Sequence, residues 1–330
     1  MQKVRVGIFF GGISPEHQVS LWSAKSIIDN IDKVKFKIVQ FYIDKQGSIW
    51  QLKNALGLVL RKKFAQLKKA GLNKLPTIID VAFPVLHGLG GEDGAIQGFF
   101  ETLNIPYVGA NVSSSIICLN KAIFNQLMTM AGIRKPKFVI LNEIKSKSLL
   151  QTNQLEYPLF VKPATTGSSV GISKVKSKNQ LDQAIKKASK FDPTVVIEEA
   201  VNNCREIEIS VLGNSVKTYQ VSLPGRVIPH NEFYDYNDKY LDNRADFELP
   251  AKLPLQKIKE IQKIALTAYK LVGCRGLARV DFLLDKNLKV YLNEINTMPG
   301  FTAISMYPKL WEISGLAYRE LITKLINLAL

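Results

Sequence analysis

The sequence has no run of about 18 apolar residues, so no segment reads as a membrane-spanning helix. Cysteine is scarce: Cys118, Cys204 and Cys274 are odd in number and far apart. That pattern suits a reducing cytoplasm better than a disulfide framework or a zinc site. Residues 1–12 pass straight into an apolar run without a basic n-region or a small-residue cleavage site, so no secretory leader is expected. Heptad runs, solenoid repeats and low-complexity tails are missing. So are G-x-G-x-x-G and a G-K-[ST] that opens a helix, which leaves a dinucleotide fingerprint and a Walker A loop unsupported. Acids are in deficit, with 28 Asp and Glu against 44 Lys and Arg, for a net charge of +16. Such a surplus suits nucleic acid, an anionic membrane or small anionic ligands. What is present is a chain of 330 residues, long enough for two or three domains and a large core.

Val4–Phe10 is a continuous apolar run, as in a buried parallel strand, followed by Gly11-Gly12 and an apolar-periodic segment to Ile31. Ser14 reads as the N-cap and Pro15 as the first helical residue. Glu16 reads locally as an acid that offsets the helix dipole, or as part of a ligand site at the strand's carboxyl end. Phe36–Ile43 is a second strand. Residues 53–74 read as a basic, helix-like segment carrying Arg61, Lys62, Lys63, Lys68, Lys69 and Lys74. With few aromatic stacking platforms among them, a solvated face is favoured over a single-strand nucleic-acid surface. Asp80–Leu86 is a third strand, running into a glycine-dense loop with His87 and Glu92, then a helix to Leu103. Glycines there let backbone approach a ligand, and a site between this loop and the one at Gly11 is expected.

Asn111–Gly132 reads as one helix carrying Lys121, and Lys137–Leu141 as a strand. Residues 142–154 read as a loop plus a short helix. Leu159–Lys162 and Val170–Val175 form a hairpin whose small-residue loop, Thr165–Gly171, can fold over phosphates with N–H and hydroxyl donors. Leu181–Lys190 is a short amphipathic helix and Thr194–Glu198 a strand. Arg205–Leu212 is a strand with Glu206 and Glu208 on one face, and Val216–Leu223 follows. The polar, aromatic stretch 230–246 is long for a compact enzyme and reads as a lid. Pro254–Val272 is an amphipathic helix and Trp311–Leu330 a terminal one.

The chain is organised around residues 276–305. Ala278–Leu284 alternates as a strand, which sets Arg279 and Asp281 on one face; Lys289–Ile295 returns, with Glu294 and Asn296 sharing a face. Two carboxylates and an amide oxygen suit Mg²⁺ alongside substrate phosphates, and the arginine suits a phosphate or a developing oxyanion. A solvated face with cross-strand ion pairs is the plainer reading. It does not account for the loop Asn296-Thr297-Met298-Pro299-Gly300, where glycine permits close approach of a ligand.

Seven segments together carry a resemblance: 11–20, 87–98, 160–171, 205–213, 234–240, 279–282 and 293–305. In this order they resemble the D-alanine–D-alanine ligases of the ATP-grasp superfamily, over nearly the whole chain. The resemblance implies an α/β fold, α+β in its C-terminal part: a three-domain ATP-grasp fold with a Rossmann-like N-terminal domain. The expected boundaries are 1–109 for the substrate domain, 110–197 for the central ATP-grasp subdomain and 198–330 for the C-terminal, Mg-binding domain. ATP is implied between the sheets of the last two, its phosphates neutralised by Lys121 and Lys162 and covered by the loop of Ser168 and Ser169. Lys239 is expected among the ATP-binding residues, with adenine against the backbone of Glu199, Ala200 and Val201 and ribose on Glu206. Asp281, Glu294 and Asn296 are expected to hold two Mg²⁺ or Mn²⁺ ions. A D-alanine carboxylate attacks the γ-phosphate, the amine of a second D-alanine attacks the acyl phosphate, and Arg279 with the Gly300 N–H holds the oxyanion. Glu16, in a network with Ser168 and Tyr240, pairs with the first ammonium. His87 lies near the first carboxylate, and Ser305 with the Met306 N–H takes the second.

Three departures from the family pattern stand out. Asn120 replaces the usual aspartate, Asn125 stands where lysine is common, and 199–205 is one residue longer. A D-alanyl–D-lactate ligase, or another ATP-grasp carboxylate–amine ligase, is the rival enzyme. Tyr240 argues against the first, because ester-forming relatives usually lose it. A basic nucleic-acid binder is the rival from another class. A cytoplasmic homodimer with no nucleic-acid or membrane partner is expected.

Overall fold

The computed structural model describes residues 2–51, 54–142, 150–228 and 246–330, which form three sheets. In the first, β1 (Val4–Gly11) pairs in parallel with β2 (Phe36–Ile43) and β5 (Val81–Pro84). All of β5 and the last six residues of β1 are buried, because helices pack on both faces of the sheet. The antiparallel strands β3 (Ile49–Gln51) and β4 (Lys68–Lys69) extend one edge, giving the order β4-β3-β2-β1-β5. The second sheet is antiparallel, with β6 (Phe138–Leu141), β7 (Leu159–Pro163), β8 (Ser173–Val175) and β9 (Val195–Glu199) in the order β6-β9-β7-β8. The third contains β10 (Arg205–Leu212), β11 (Gln220–Val221), β12 (Gly225–Ile228), β13 (Asp246–Glu248), β14 (Leu277–Leu284) and β15 (Val290–Asn296). Its order is β13-β12-β10-β14-β15, with β11 paired to β10.

Ten helices flank the sheets among the described residues: α1 (His17–Asn30), α2 (Ala55–Leu60), α3 (Leu75–Ile78), α4 (Ala95–Thr102), α5 (Val112–Leu119), α6 (Lys121–Met130), α7 (Lys178–Ala188), α8 (Leu255–Leu271), α9 (Met306–Ile313) and α10 (Tyr318–Ala329). The two ends of the chain share one core. Val6, Ile8 and Phe10 of β1 and Leu21, Ala24 and Ile27 of α1 pack with Phe301, Tyr307, Trp311, Leu321 and Leu325. That burial fixes the 297–305 loop against the loops that leave the first sheet.

Several elements depart from the sequence reading, each for a local reason. Ser14 and Pro15 form a turn before α1 and do not cap it: the Ser14 hydroxyl accepts the Glu16 N–H, and Glu16 is the N-cap residue. The basic segment is not one helix. Asn54 caps α2, which ends after six residues where Lys62 turns left-handed at φ 56°, and the chain then forms the edge strand β4. The helix expected over 111–132 breaks at Asn120, whose side chain caps α6 by accepting the N–H groups of Ala122 and Ile123. The terminal helix is two, α9 and α10, separated at Gly315 with φ 89°.

Candidate active site

A cavity of about 930 Å³ opens where the three sheets meet. At one end three loops converge on Glu16, which is itself buried. Gly88 has φ 68°, which favours glycine, and a Cβ there would lie 2.7 Å from both Glu16 Oε2 and Ser14 Oγ, so the second loop packs closely on the first. A Cβ on Gly167 would lie 3.9 Å from the same carboxylate oxygen, which brings in the loop of the second sheet. In that loop Ser168 and Ser169 hold φ of 49° and 62°, a conformation that costs energy for serine and marks a backbone held in place by its surroundings. Glu92 also lines this end and accepts the Gly88 N–H at 3.1 Å. Burial, with Glu16 nearby, pushes its carboxyl up to about 8.

The cations come from the second sheet and α6. Lys162 Nζ lies 2.5 Å from Glu198 Oε2, and Asn125 Nδ2 donates to Oε1 at 2.7 Å. Burial works to raise Glu198, but Lys162 and Lys135, with these hydrogen bonds, hold it at about 2. Burial pushes Lys121 down from its ordinary value; its ammonium donates to the Thr166 carbonyl and so ties α6 to the small-residue loop. Glu199, Ala200, Val201 and Glu206 line the cavity on the same side.

The third sheet contributes a row of acids. Antiparallel register sets Glu208 beside Asp281 and Asp281 beside Glu294, across β10, β14 and β15. Three adjacent like charges need a cation. Arg279 supplies it: Nε and Nη2 each donate to Asp281 at 2.7 Å, and Nε lies 3.0 Å from Glu208 Oε2. Burial opposes its charge, but these carboxylates hold its pKa well above the ordinary value. A β-bulge follows, where Asp281 faces Glu294 but Phe282 faces Leu292. The extra residue, Asn293, gives its carbonyl to Lys135 Nζ, and the Leu292 N–H donates to the Arg134 carbonyl at 2.9 Å. The bulge is thus the seam between the third sheet and the segment after α6. Burial pushes Lys135 down to about 7 there. Asn296 Oδ1 accepts the Met298 N–H at 3.1 Å, and Ser305 Oγ accepts that of Thr302 at 3.1 Å just before α9 begins at Met306.

Of the residues singled out from the sequence, Glu16, Lys121, Lys162, Ser168, Ser169, Glu199, Ala200, Val201, Glu206, Arg279, Asp281, Glu294, Asn296, Gly300, Ser305 and Met306 line this one cavity. His87 does not. It is buried behind the wall, with Nδ1 3.0 Å from the Met298 carbonyl and Nε2 3.2 Å from Ser23 Oγ, and burial lowers its pKa. Lys239 and Tyr240 fall within 229–245, outside the described residues, as does the lid expected over 230–246 apart from Asp246, which opens β13. Among the wall residues not expected as site residues, the acids Glu198 and Glu208 stand out. Their signals were present: an acid closing an apolar strand, and an acid two residues from Glu206 on the same strand face.

Comparison with known proteins identifies the family. The family model described as D-ala D-ala ligase N-terminus matches residues 5–110, and that described as D-ala D-ala ligase C-terminus matches 127–327. The chain is 45% identical over 354 residues to a D-alanine–D-alanine ligase of Thermoanaerobacter sp. (strain X514), covering 100% of this chain and 97% of the relative. It is 44% identical over 356 residues to D-alanine–D-alanine ligase A of Salmonella typhimurium, covering 100% and 96%. Among solved structures, the VanG D-Ala:D-Ser ligase from Enterococcus faecalis superposes with a TM-score of 0.90 at 34% identity, covering both chains fully. The D-alanine–D-alanine ligase from Coxiella burnetii gives 0.84 at 35%, covering 100% of this chain and 94% of that one. Matched along its length in sequence and in fold, the chain belongs to the D-alanine–D-alanine ligase family.

Proposed function

We propose that this enzyme joins two D-alanine molecules into D-alanyl-D-alanine for peptidoglycan precursor synthesis, converting ATP to ADP and phosphate. The observation that carries the reading is one cavity walled both by the glycine loops around Glu16 and by the Lys121–Lys162 and Arg279–Asp281–Glu294 groups. Amino-acid and phosphate chemistry therefore share a space.

Lys121 and Lys162 bind the ATP phosphates as point charges. The backbone of Glu199–Val201 meets adenine, Glu206 the ribose hydroxyls, and Ser169 with its loop covers the phosphates. Glu16 pairs with the ammonium of the first D-alanine, beside the loop of Ser168. His87, set behind the wall, acts toward that substrate's carboxylate through the loop it anchors. A carboxylate oxygen of the first D-alanine attacks the γ-phosphorus and the bond to ADP breaks, which leaves an acyl phosphate. Ser305 and the Met306 N–H hold the second D-alanine by its carboxylate. Its amine attacks the acyl carbon, Arg279 and the Gly300 N–H donate to the oxyanion, and phosphate leaves with the C–O electron pair as the amine loses its proton.

The donor set of Asp281, Glu294 and Asn296 is all oxygen, which suits Mg²⁺ or Mn²⁺ completed by phosphate oxygens and water. The arginine clamp on Asp281 leaves acceptor capacity, since an ionised carboxylate offers about four lone-pair sites. When bound, the ions neutralise charge on the transferring phosphoryl group. The divisions 1–109, 110–197 and 198–330, a cytoplasmic location and a homodimer belong to the same reading.

Two experiments test it. D-Alanine carrying heavy oxygen in its carboxylate passes one labelled atom to the released phosphate; unlabelled phosphate contradicts the acyl-phosphate route. Lys162→Ala weakens ATP binding by calorimetry about tenfold or more, the range for a lost hydrogen bond to a charged group, and changes D-alanine affinity of the free enzyme much less. Unchanged nucleotide affinity leaves Lys162 only its pairing with Glu198.

A further inference from the structure

The stretch 45–79 holds eight Lys or Arg and no Asp or Glu, half of the chain's net charge of +16. In the fold it is pinned by Leu56, Val59, Leu67 and Leu75, all buried. Arg61, Lys62, Lys63, Lys68, Lys69 and Lys74 between and beside these anchors are exposed. None of the six forms an ion pair among the described residues. Apolar side chains stand out among them: Leu60 is 44% exposed, Phe64 49% and Leu72 40%. The two lysines of β4 lie on a sheet edge, where lysine also blocks strand addition. That role accounts for Lys68 and Lys69 but not for the other cations or for the exposed apolar groups.

We propose that this basic segment, with its half-exposed apolar side chains, docks the enzyme on an anionic lipid surface, with the cations at the headgroups and Leu60, Phe64 and Leu72 toward the interfacial layer. Charge complementarity selects the partner. A second copy of so basic a segment is repelled. Nucleic acid would use the charge but not the aliphatic groups, and Phe64 is the one aromatic residue between positions 54 and 79. Amphipathic surfaces that combine Lys and Arg with Leu and Phe bind anionic membranes without spanning them. No described helix is long and apolar enough to cross a membrane, and docking needs none. The face contributes no residue to the cavity wall, so docking leaves the cavity open. This departs from the expectation of no membrane partner drawn from the sequence.

Co-sedimentation of the full chain with vesicles tests the proposal. Binding is expected to equimolar phosphatidylglycerol and phosphatidylcholine, not to phosphatidylcholine alone, and to fall as salt rises. Combined Lys62→Glu, Lys63→Glu, Lys68→Glu and Lys69→Glu lowers partitioning at least tenfold, since each basic residue near an anionic surface contributes about fivefold. Phe64→Ser with Leu72→Ser weakens binding and leaves its salt dependence in place. Both variants keep wild-type ligation rates, which shows that they fold. No binding of the wild type to anionic vesicles, equal binding by the charge-reversed variant, or tighter retention on single-stranded polyuridine than on vesicles overturns the proposal.

Discussion

Replacing Glu294 by glutamine abolishes ligation and leaves the fold intact. Glu294 lies beside Asp281 in the β14–β15 register, and both line the cavity with Asn296. The exchange keeps the shape of the side chain and removes one formal charge. If this acid helps hold the metal ions, several kcal/mol of charge stabilisation on the transferring phosphoryl group is lost, about a thousandfold in rate. The fold has little to lose, because the side-chain shape is kept and the charge removed is one of three adjacent acids, so relief of repulsion offsets the lost attraction to Arg279. Thermal unfolding at or slightly above the wild-type midpoint, with turnover below a thousandth of wild type, is the expected pair of results. Near-wild-type turnover contradicts the assignment of this face to the metal.

Arg279→Lys is expected to lower kcat by about a hundredfold to a thousandfold, the range for loss of an oxyanion donor, with a smaller change in KM. Lysine keeps the charge but cannot reproduce the two bonds to Asp281 and the contact with Glu208. A merely structural arginine would also lose stability, so a companion variant separates the roles. Glu208→Gln keeps the side-chain shape and leaves the Asp281 clamp in place. It should cost kcat much less than Arg279→Lys if Glu208 only positions the guanidinium. Equal losses in kcat from the two variants would show that Arg279 acts through the carboxylate row and not on the reacting atoms.

The site was legible wherever a short period or a glycine carries the information. Strand alternation placed Arg279 with Asp281 and Glu294 with Asn296, and all four line the cavity. The glycine loops at Gly11 and Gly88 were placed as neighbours, and Gly88 does close on Glu16. What stayed hidden depends on partners far away in sequence. His87 looks like a wall residue until its ring is found on the Met298 carbonyl, more than two hundred residues on. Glu198 acquires its role from Lys162 and Asn125, and Asn293 becomes a seam because a bulge frees its carbonyl for Lys135. The basic segment misled because composition favoured a helix, whereas the left-handed turn at Lys62 and the pairing of Lys68 and Lys69 with β3 set its shape. Glycine and proline counts do not show that the last two helices complete the first core. That follows from Phe301, Tyr307 and Trp311 packing on β1 and α1.

The most direct test of the central claim is phosphate release from ATP and Mg²⁺ with D-alanine, with the product identified by mass. Release should require D-alanine and fail with L-alanine. It should yield one dipeptide per phosphate, and D-serine and D-lactate should compete poorly as second substrates. Release that is independent of D-alanine, or a D-alanyl ester or D-alanyl-D-serine as the main product in an equal mixture, would contradict it.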